Sequence, residues 1–232
     1  MGKINKEVIF MNVSYIYHSG FTIETEKNYL IFDYYRGDIE LKDKDTIIFC
    51  SHGHDDHFNP KILEWDNRNT NYILSDDIQV EKAENIHFMS PYEDLTINGI
   101  EVRTFGSTDL GLSFLIKLED KTIFYAGDLN WWDWNSNSES EKIQEEKDYK
   151  EELDKIKAYD PKIDLAFVPV DPRLEENYYR AGQYFIKEFK PDYFFPMHFG
   201  DNLDVSRKFA NRFKDSSTNI MVIERENQTF PL

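Results

Sequence analysis

The stretch SHGHDDHF, residues 51–58, sets three histidines and two aspartates within six consecutive positions, in a chain of 232 residues with only six histidines. His52 and His54 are one residue apart, so in an extended segment their side chains point the same way, and Asp56 and His57 follow where the chain turns. Imidazole and carboxylate together form a donor set for zinc, iron or manganese, and two neighbouring ions can share such a cluster. A polar loop bonded only to itself or to water is the alternative. Against it, imidazoles crowded beside carboxylates at the end of an apolar strand are costly unless a divalent ion lies between them. A structural zinc site would draw on cysteines, and Cys50, which ends the apolar run TIIFC, is the only one. Two more apolar runs end in groups that can reach the same place: IFYAGDLN delivers Asp128, and FFPMHFGD delivers His198.

Positioning these side chains requires a framework of strands. Short β-branched and aromatic runs fill the first half of the chain: VSYIY, YLIFDYY, TIIFC, NYILS, IHFM, IEVRTFG, LSFLIKL and TIFYAG. Turn-forming residues separate them, as in HSG at 18–20 and ING at 97–99. Helical spacing appears later. Tyr149, Leu153, Ile156 and Tyr159 mark an amphipathic helix within 138–159, and further helices are expected over 175–190 and 205–214. The strands IDLAFVPV, YFFPMHF and NIMVIER alternate with them, which predicts an α/β arrangement with helices outside sheet layers. No repeat or linker divides the chain, so one domain over 1–232 is expected.

The residues His52, His54, Asp56 and His57 in a His-x-His-x-Asp-His pattern, then Asp128 in AGD and His198 after a late strand, resemble the metallo-β-lactamase superfamily. The early HSGF and LIFDYY are similar to the opening strands of its ascorbate-phosphate lactonase-like branch. The resemblance implies a four-layer αββα sandwich with one or two divalent metal ions at one edge, zinc first and manganese or iron as alternatives. It also implies that His52 and His54 hold one metal, that Asp56, His57 and His198 hold the other, and that Asp128 bridges them. Two ions about 3.5–4 Å apart activate a water and polarise the bond it attacks, so the implied reaction is hydrolysis. Asp56 is the expected catalytic residue, orienting that water or accepting its proton.

One ligand of the family pattern is missing. The mid-chain histidine that completes the first metal site has no counterpart in TFGSTDLGLSF, where Ser107, Thr108 and Asp109 are the polar groups present. Asp109 either contacts the metal or its water, or belongs to the hydrogen bonding of its own loop. His18 is expected at the pocket as a partner that orients a ligand, and His87 as an ordinary strand residue.

Trp131, Trp132 and Trp134 follow Asp128 closely and could wall a pocket, Trp131 among them. Arg173 could bind a substrate carboxylate or phosphate, or pair with Asp171 to hold the loop. Acidic residues outnumber basic ones by 44 to 27, which disfavours a polyanionic partner and with it the nuclease branch. A flavodiiron-type redox role would place glutamate where His54 stands. A small-molecule substrate, neither nucleic acid nor membrane, and a cytoplasmic location are therefore expected; the alternative is a metal-binding scaffold or regulatory protein without turnover.

Overall fold

The computed structural model describes residues 10–65 and 69–232. The first half of the chain supplies strands β1 (Met11–Tyr15), β2 (Phe21–Thr25), β3 (Asn28–Phe32), β4 (Asp45–Cys50), β5 (Thr70–Ser75) and β6 (Ile86–Met89). Next come β7 (Asp94–Ile97), β8 (Ile100–Phe105), β9 (Ser113–Leu118) and β10 (Lys121–Tyr125), then β11 (Leu165–Pro169), β12 (Tyr193–Met197), β13 (Asn219–Ile220) and β14 (Thr229–Pro231). They form two seven-stranded sheets, ordered β14-β1-β2-β3-β4-β5-β6 and β13-β12-β11-β10-β9-β8-β7. Each sheet begins as antiparallel hairpins and continues as parallel strands: β3 to β6 in the first sheet, β10 to β13 in the second.

The sheets meet over an aromatic core. Phe32 stacks on Phe49 at 4.8 Å in its own sheet and on Tyr125 at 4.7 Å across the gap, while Phe21 meets Phe167 edge-on at 4.9 Å. Such rings combine large buried area with a geometry that fixes the spacing of the layers. Helices α1 (Glu139–Lys157), α2 (Arg180–Phe189) and α3 (Asp204–Arg212) complete the α/β sandwich. Phe185 of α2 stacks on Phe124 at 4.9 Å and Phe209 of α3 on Phe194 at 5.2 Å, which seats both on the outer face of the second sheet. Outside the first sheet, the described cover is a 3-10 turn, Pro60–Glu64, with the loops carrying Tyr34, Ile39, Phe58 and Ile78. Cys50 and Ile48 are buried beneath it.

Helix α1 starts at a reciprocal cap, in which Ser138 N donates to Glu141 Oε2 and Glu141 N donates back to Ser138 Oγ. It ends before Tyr159, which is half exposed. The segment 175–190 forms a helix only from Arg180, because Asp171 and Pro172 start a separate 3-10 turn and Glu175 takes a left-handed φ of 52°. Of NIMVIER, only Asn219 and Ile220 pair as a strand, and β2, β7 and β14 were not among the expected runs.

Candidate metal centre

Parallel strands present all their carboxyl ends at the same side of a sheet, and ligand sites in open α/β sheets form there. Here Asp33 follows β3, residues 51–58 follow β4, Asp128 follows β10, Asp171 follows β11 and His198 follows β12. Strand register alone thus delivers residues more than a hundred positions apart to one edge. Two close backbone approaches seal it. Gly111, with φ +77°, would carry a Cβ 2.0 Å from Ser51 O, and Gly127, with φ +53°, a Cβ 2.7 Å from Leu112 O and from Ser51 Cβ. Any side chain at Gly111 would push the loop 106–112 off His52.

Two groups of ligating atoms converge: His18, Asp56, His57 and His198 in one, His52, His54 and Asp128 in the other, each lying within 4.8 Å of its fellows. Asp128 lies between the groups, its Oδ1 3.1 Å from His57 Nε2 and 3.2 Å from His198 Nε2, its Oδ2 3.6 Å from His52 Nε2. His57 Nε2, His198 Nε2 and Asp128 Oδ1 are buried without a well-aligned hydrogen-bond partner. Buried polar atoms seldom stay unpaired. Lone pairs of two imidazoles and a carboxylate aimed at one point fit a divalent cation.

Behind these atoms the rings are tied down. Asp33, fully buried, accepts from His57 Nδ1 at 2.7 Å, Ser51 N at 2.7 Å, Ser51 Oγ at 2.6 Å and Tyr125 Oη at 2.8 Å. Ser51 Oγ in turn accepts from His52 Nδ1 at 3.0 Å, and Asp171 Oδ2 accepts from His198 Nδ1 at 3.2 Å. Carboxylates behind ligating imidazoles fix the tautomer and the ring plane. Neither Asp33 nor Ser51 was singled out from the sequence, although an aspartate ending the apolar run LIF was a usable signal.

The electrostatics follow from this packing. Burial disfavours charge on His57, but Asp128 and Asp33 outweigh it and the ring is pushed up to about 10. His198 is raised likewise by Asp128 and Asp171 against its burial, and together these two imidazoles hold Asp128 well below the usual carboxylate range despite burial. Burial and the neighbouring His57 lower His52. Asp56 is held low chiefly by its contact with His18. Without a metal, His57 therefore carries a proton at pH 7. Ligation needs a neutral ring, so metal uptake at pH 7 is expected to release protons, and affinity to strengthen as pH rises toward 10. Calorimetric titration in two buffers of different ionisation enthalpy measures this; uptake without proton release would rule it out.

The centre opens into a cavity of about 390 Å³ lined by His54, Asp56, Thr108, Asp109, Asp128, Trp132, Trp134, Glu145, Arg173 and His198. Several expected residues sit differently. Trp131 does not line it: its ring packs near Tyr149 at 6.3 Å with Lys150 and Arg180 over its faces, because α1 and α2 need an apolar partner there. The wall is the parallel pair Trp132 and Trp134, 5.8 Å apart. Asp109 is exposed at the rim and outside both ligand groups; its N–H donates to Ser107 Oγ at 3.3 Å, which keeps Ser107 within the loop and off the cavity wall. Thr108 donates to Asn130 O at 2.5 Å and pins the loop to the segment after Asp128. Asp171 is buried beneath Arg173, accepting from its Nε at 2.8 Å and its Nη2 at 2.5 Å, while the guanidinium reaches the cavity with its side chain 57% exposed. Both roles considered for Arg173 are thus open to it at once. His18, expected near the pocket, stands inside a ligand group, 3.4 Å from Asp56. His87 lies on the edge strand β6.

The sequence profile of the beta-lactamase superfamily domain matches residues 12–144. UPF0173 metal-dependent hydrolase YtkL of Bacillus subtilis is 29% identical over 143 residues, 51% of this chain and 63% of that protein, so the match spans less than two thirds of the relative's length. Igni18, a metallo hydrolase from the archaeon Ignicoccus hospitalis, shares the fold with a TM-score of 0.67 at 12% identity over 96% of this chain and 98% of its own. CmlA, a diiron β-hydroxylase from Streptomyces venezuelae, does so with a TM-score of 0.60 at 11% identity, covering 98% of this chain and 54% of that one. At these identities the two structures speak for the fold alone. With the profile spanning more than half of the chain, over β1 to β10 and the His-x-His-x-Asp-His loop, the protein belongs to the metallo-β-lactamase superfamily.

Proposed function

We propose that this protein is a metal-dependent hydrolase of a small molecule carrying a lactone, ester, amide or phosphoester bond, with zinc as the working ion. The observation that supports it is the convergence of His52, His54, Asp56, His57, Asp128 and His198, with the rear nitrogens of His52, His57 and His198 tied off, on an open cavity. Divalent ions there would lower the pKa of a coordinated water and polarise the bond under attack. The chain supplies the rest. Asp56 is half-buried at the cavity and held ionised, so its carboxylate is suited to accept a hydrogen bond from the attacking water and orient it. Trp132 and Trp134 offer an apolar wall that excludes solvent, and Arg173, held flat by Asp171, offers a donor for an anionic substituent.

The acidic rim of Asp109 and Glu145 and the net charge of −17 favour a small substrate over a polynucleotide. The lone buried cysteine fits a reducing compartment, and we place the protein in the cytoplasm; among the described residues no helix is long and apolar enough to cross a membrane. Elemental analysis of protein purified without added metal, followed by a panel of the four bond types, tests the reading. Asp56→Asn should keep the fold and lower turnover about 10²-fold or more, since an amide cannot accept the proton. A fully metallated protein inactive across the panel would favour a scaffold.

A further inference from the structure

His18 lies close enough to Asp56, His57 and His198 to act as a fourth ligand, but the partner of its other ring nitrogen argues against it. We propose that His18 is a hydrogen-bond donor that positions the Asp56 carboxylate, and that it does not ligate the metal. The inference rests on the metal-centre reading above, but not on the reaction being hydrolysis.

An imidazole ligates through a lone pair, and a neutral ring has one nitrogen with a lone pair and one with a proton. His57 and His198 point Nδ1 at carboxylates, Asp33 at 2.7 Å and Asp171 at 3.2 Å, and His52 points it at Ser51 Oγ at 3.0 Å, a hydroxyl whose own proton goes to Asp33. In the neutral, ligating form of each of the three, the acceptor behind Nδ1 holds the proton there and leaves the Nε2 lone pair for the centre. At His198 the Arg173 guanidinium also approaches Nδ1, at 3.3 Å, but its N–H groups are already bonded to the Asp171 carboxylate. His18 has the opposite arrangement. Its Nδ1 accepts from the backbone N–H of Gly200 at 3.1 Å, and a proton there would set two donors against each other. Nε2 therefore carries the hydrogen, and the atom it faces is Asp56 Oδ2 at 3.4 Å.

The backbone and the packing hold His18 in place. His18 takes a left-handed φ of 57°, its N–H donates to Tyr15 Oη at 2.8 Å, and its carbonyl accepts from His198 N at 3.0 Å, which joins the β1–β2 turn to the end of β12. Its ring lies 4.1 Å from that of His198, and its side chain is 11% exposed. Nε2 is buried, and the pair it makes with Asp56 Oδ2 at 3.4 Å is close but not aligned as a hydrogen bond, so it is the donor on Nδ1, and not this contact, that assigns the proton. A donor on Oδ2 fixes the rotation of the Asp56 carboxylate and leaves Oδ1 free for the metal or the water.

The tautomer can be read directly. In zinc-loaded protein, long-range ¹H–¹⁵N correlation spectra should show His18 with a protonated Nε2 and an unprotonated Nδ1, and His57 and His198 with the reverse. His18→Gln retains an N–H near the position of Nε2, whereas His18→Ala retains nothing. Chelator competition should find zinc affinity within a few fold of wild type in His18→Gln and about ten-fold or more weaker in His18→Ala. A zinc-bound Nε2 in the wild-type spectrum, or equal affinities in the two variants, overturns the proposal. Neither readout depends on a substrate, so an inactive protein leaves the test intact.

Discussion

Asp128→Asn is expected to weaken metal binding in both halves of the centre at once and to reduce any turnover to background. Asp128 is the residue whose two oxygens face both groups, His57 and His198 through Oδ1 and His52 through Oδ2, at 3.1, 3.2 and 3.6 Å. Asparagine preserves the shape but removes the negative charge, and one of its two terminal atoms becomes a donor aimed at imidazole nitrogens that must themselves face a cation. Truncating the charged partner of a buried pair costs about 3–5 kcal/mol, because the remaining charge stays desolvated. If that cost falls on metal binding, the affinity drops by roughly a hundred-fold to a few thousand-fold, since about 1.4 kcal/mol is a factor of ten. Metal analysis after dialysis against a weak chelator, with thermal unfolding of the same samples, checks it. Wild-type metal content in a folded Asp128→Asn protein would show that this carboxylate is not shared.

Asp33→Ala should cause the largest loss of stability at any residue behind the centre, about 3–5 kcal/mol. The side chain is completely buried and accepts four hydrogen bonds, from Ser51 N, Ser51 Oγ, His57 Nδ1 and Tyr125 Oη. Tyr125 Oη retains Ser19 O as an acceptor, and the Ser51 hydroxyl can rotate. The Ser51 N–H and the His57 ring N–H cannot, and each buried donor left unpaired costs about 1–3 kcal/mol. With its proton no longer held on Nδ1, His57 can also turn or change tautomer, so metal affinity should fall about 10- to 100-fold in the protein that does fold. Urea unfolding with and without metal separates the two effects. A variant as stable as wild type, with unchanged metal affinity, would show that Asp33 neither supports the loop nor orients the ring.

The part of the site that was legible in the sequence is the part encoded by neighbours. His52, His54, Asp56 and His57 lie within six positions, and their spacing alone turns them to one side of a loop leaving an apolar strand. Asp128 and His198 could be added because each ends a run of buried strand residues, where an unpaired polar side chain needs a purpose. Asp33 carries the same signal at the end of β3 and was passed over. Its partners Ser51 and Tyr125 have none, since a serine and a tyrosine in a strand region look alike whether or not a carboxylate lies behind them. Asp109 stood in place of an expected histidine, but its loop turns the carboxylate to the rim while its N–H bonds to Ser107.

By itself, the sequence determined which residues could bind a metal, that apolar strands would carry them, and that a helix would lie within 138–159, where it runs from Glu139 to Lys157, because these depend on residue type and on periods of two or 3.6. Only the tertiary structure decided direction. Which of three neighbouring tryptophans faces the cavity depends on where α1 seeks an apolar partner, so Trp131 turned away while Trp132 and Trp134 stayed. Which nitrogen of each histidine bears the proton depends on an acceptor or donor from a distant strand: Asp33 for His57, Asp171 for His198, Gly200 for His18. Hydrogen bonds of that kind span separations of 24 to 182 residues, and no local pattern carries them, because sheet register, not chain proximity, brings the partners within 3 Å or so of each other.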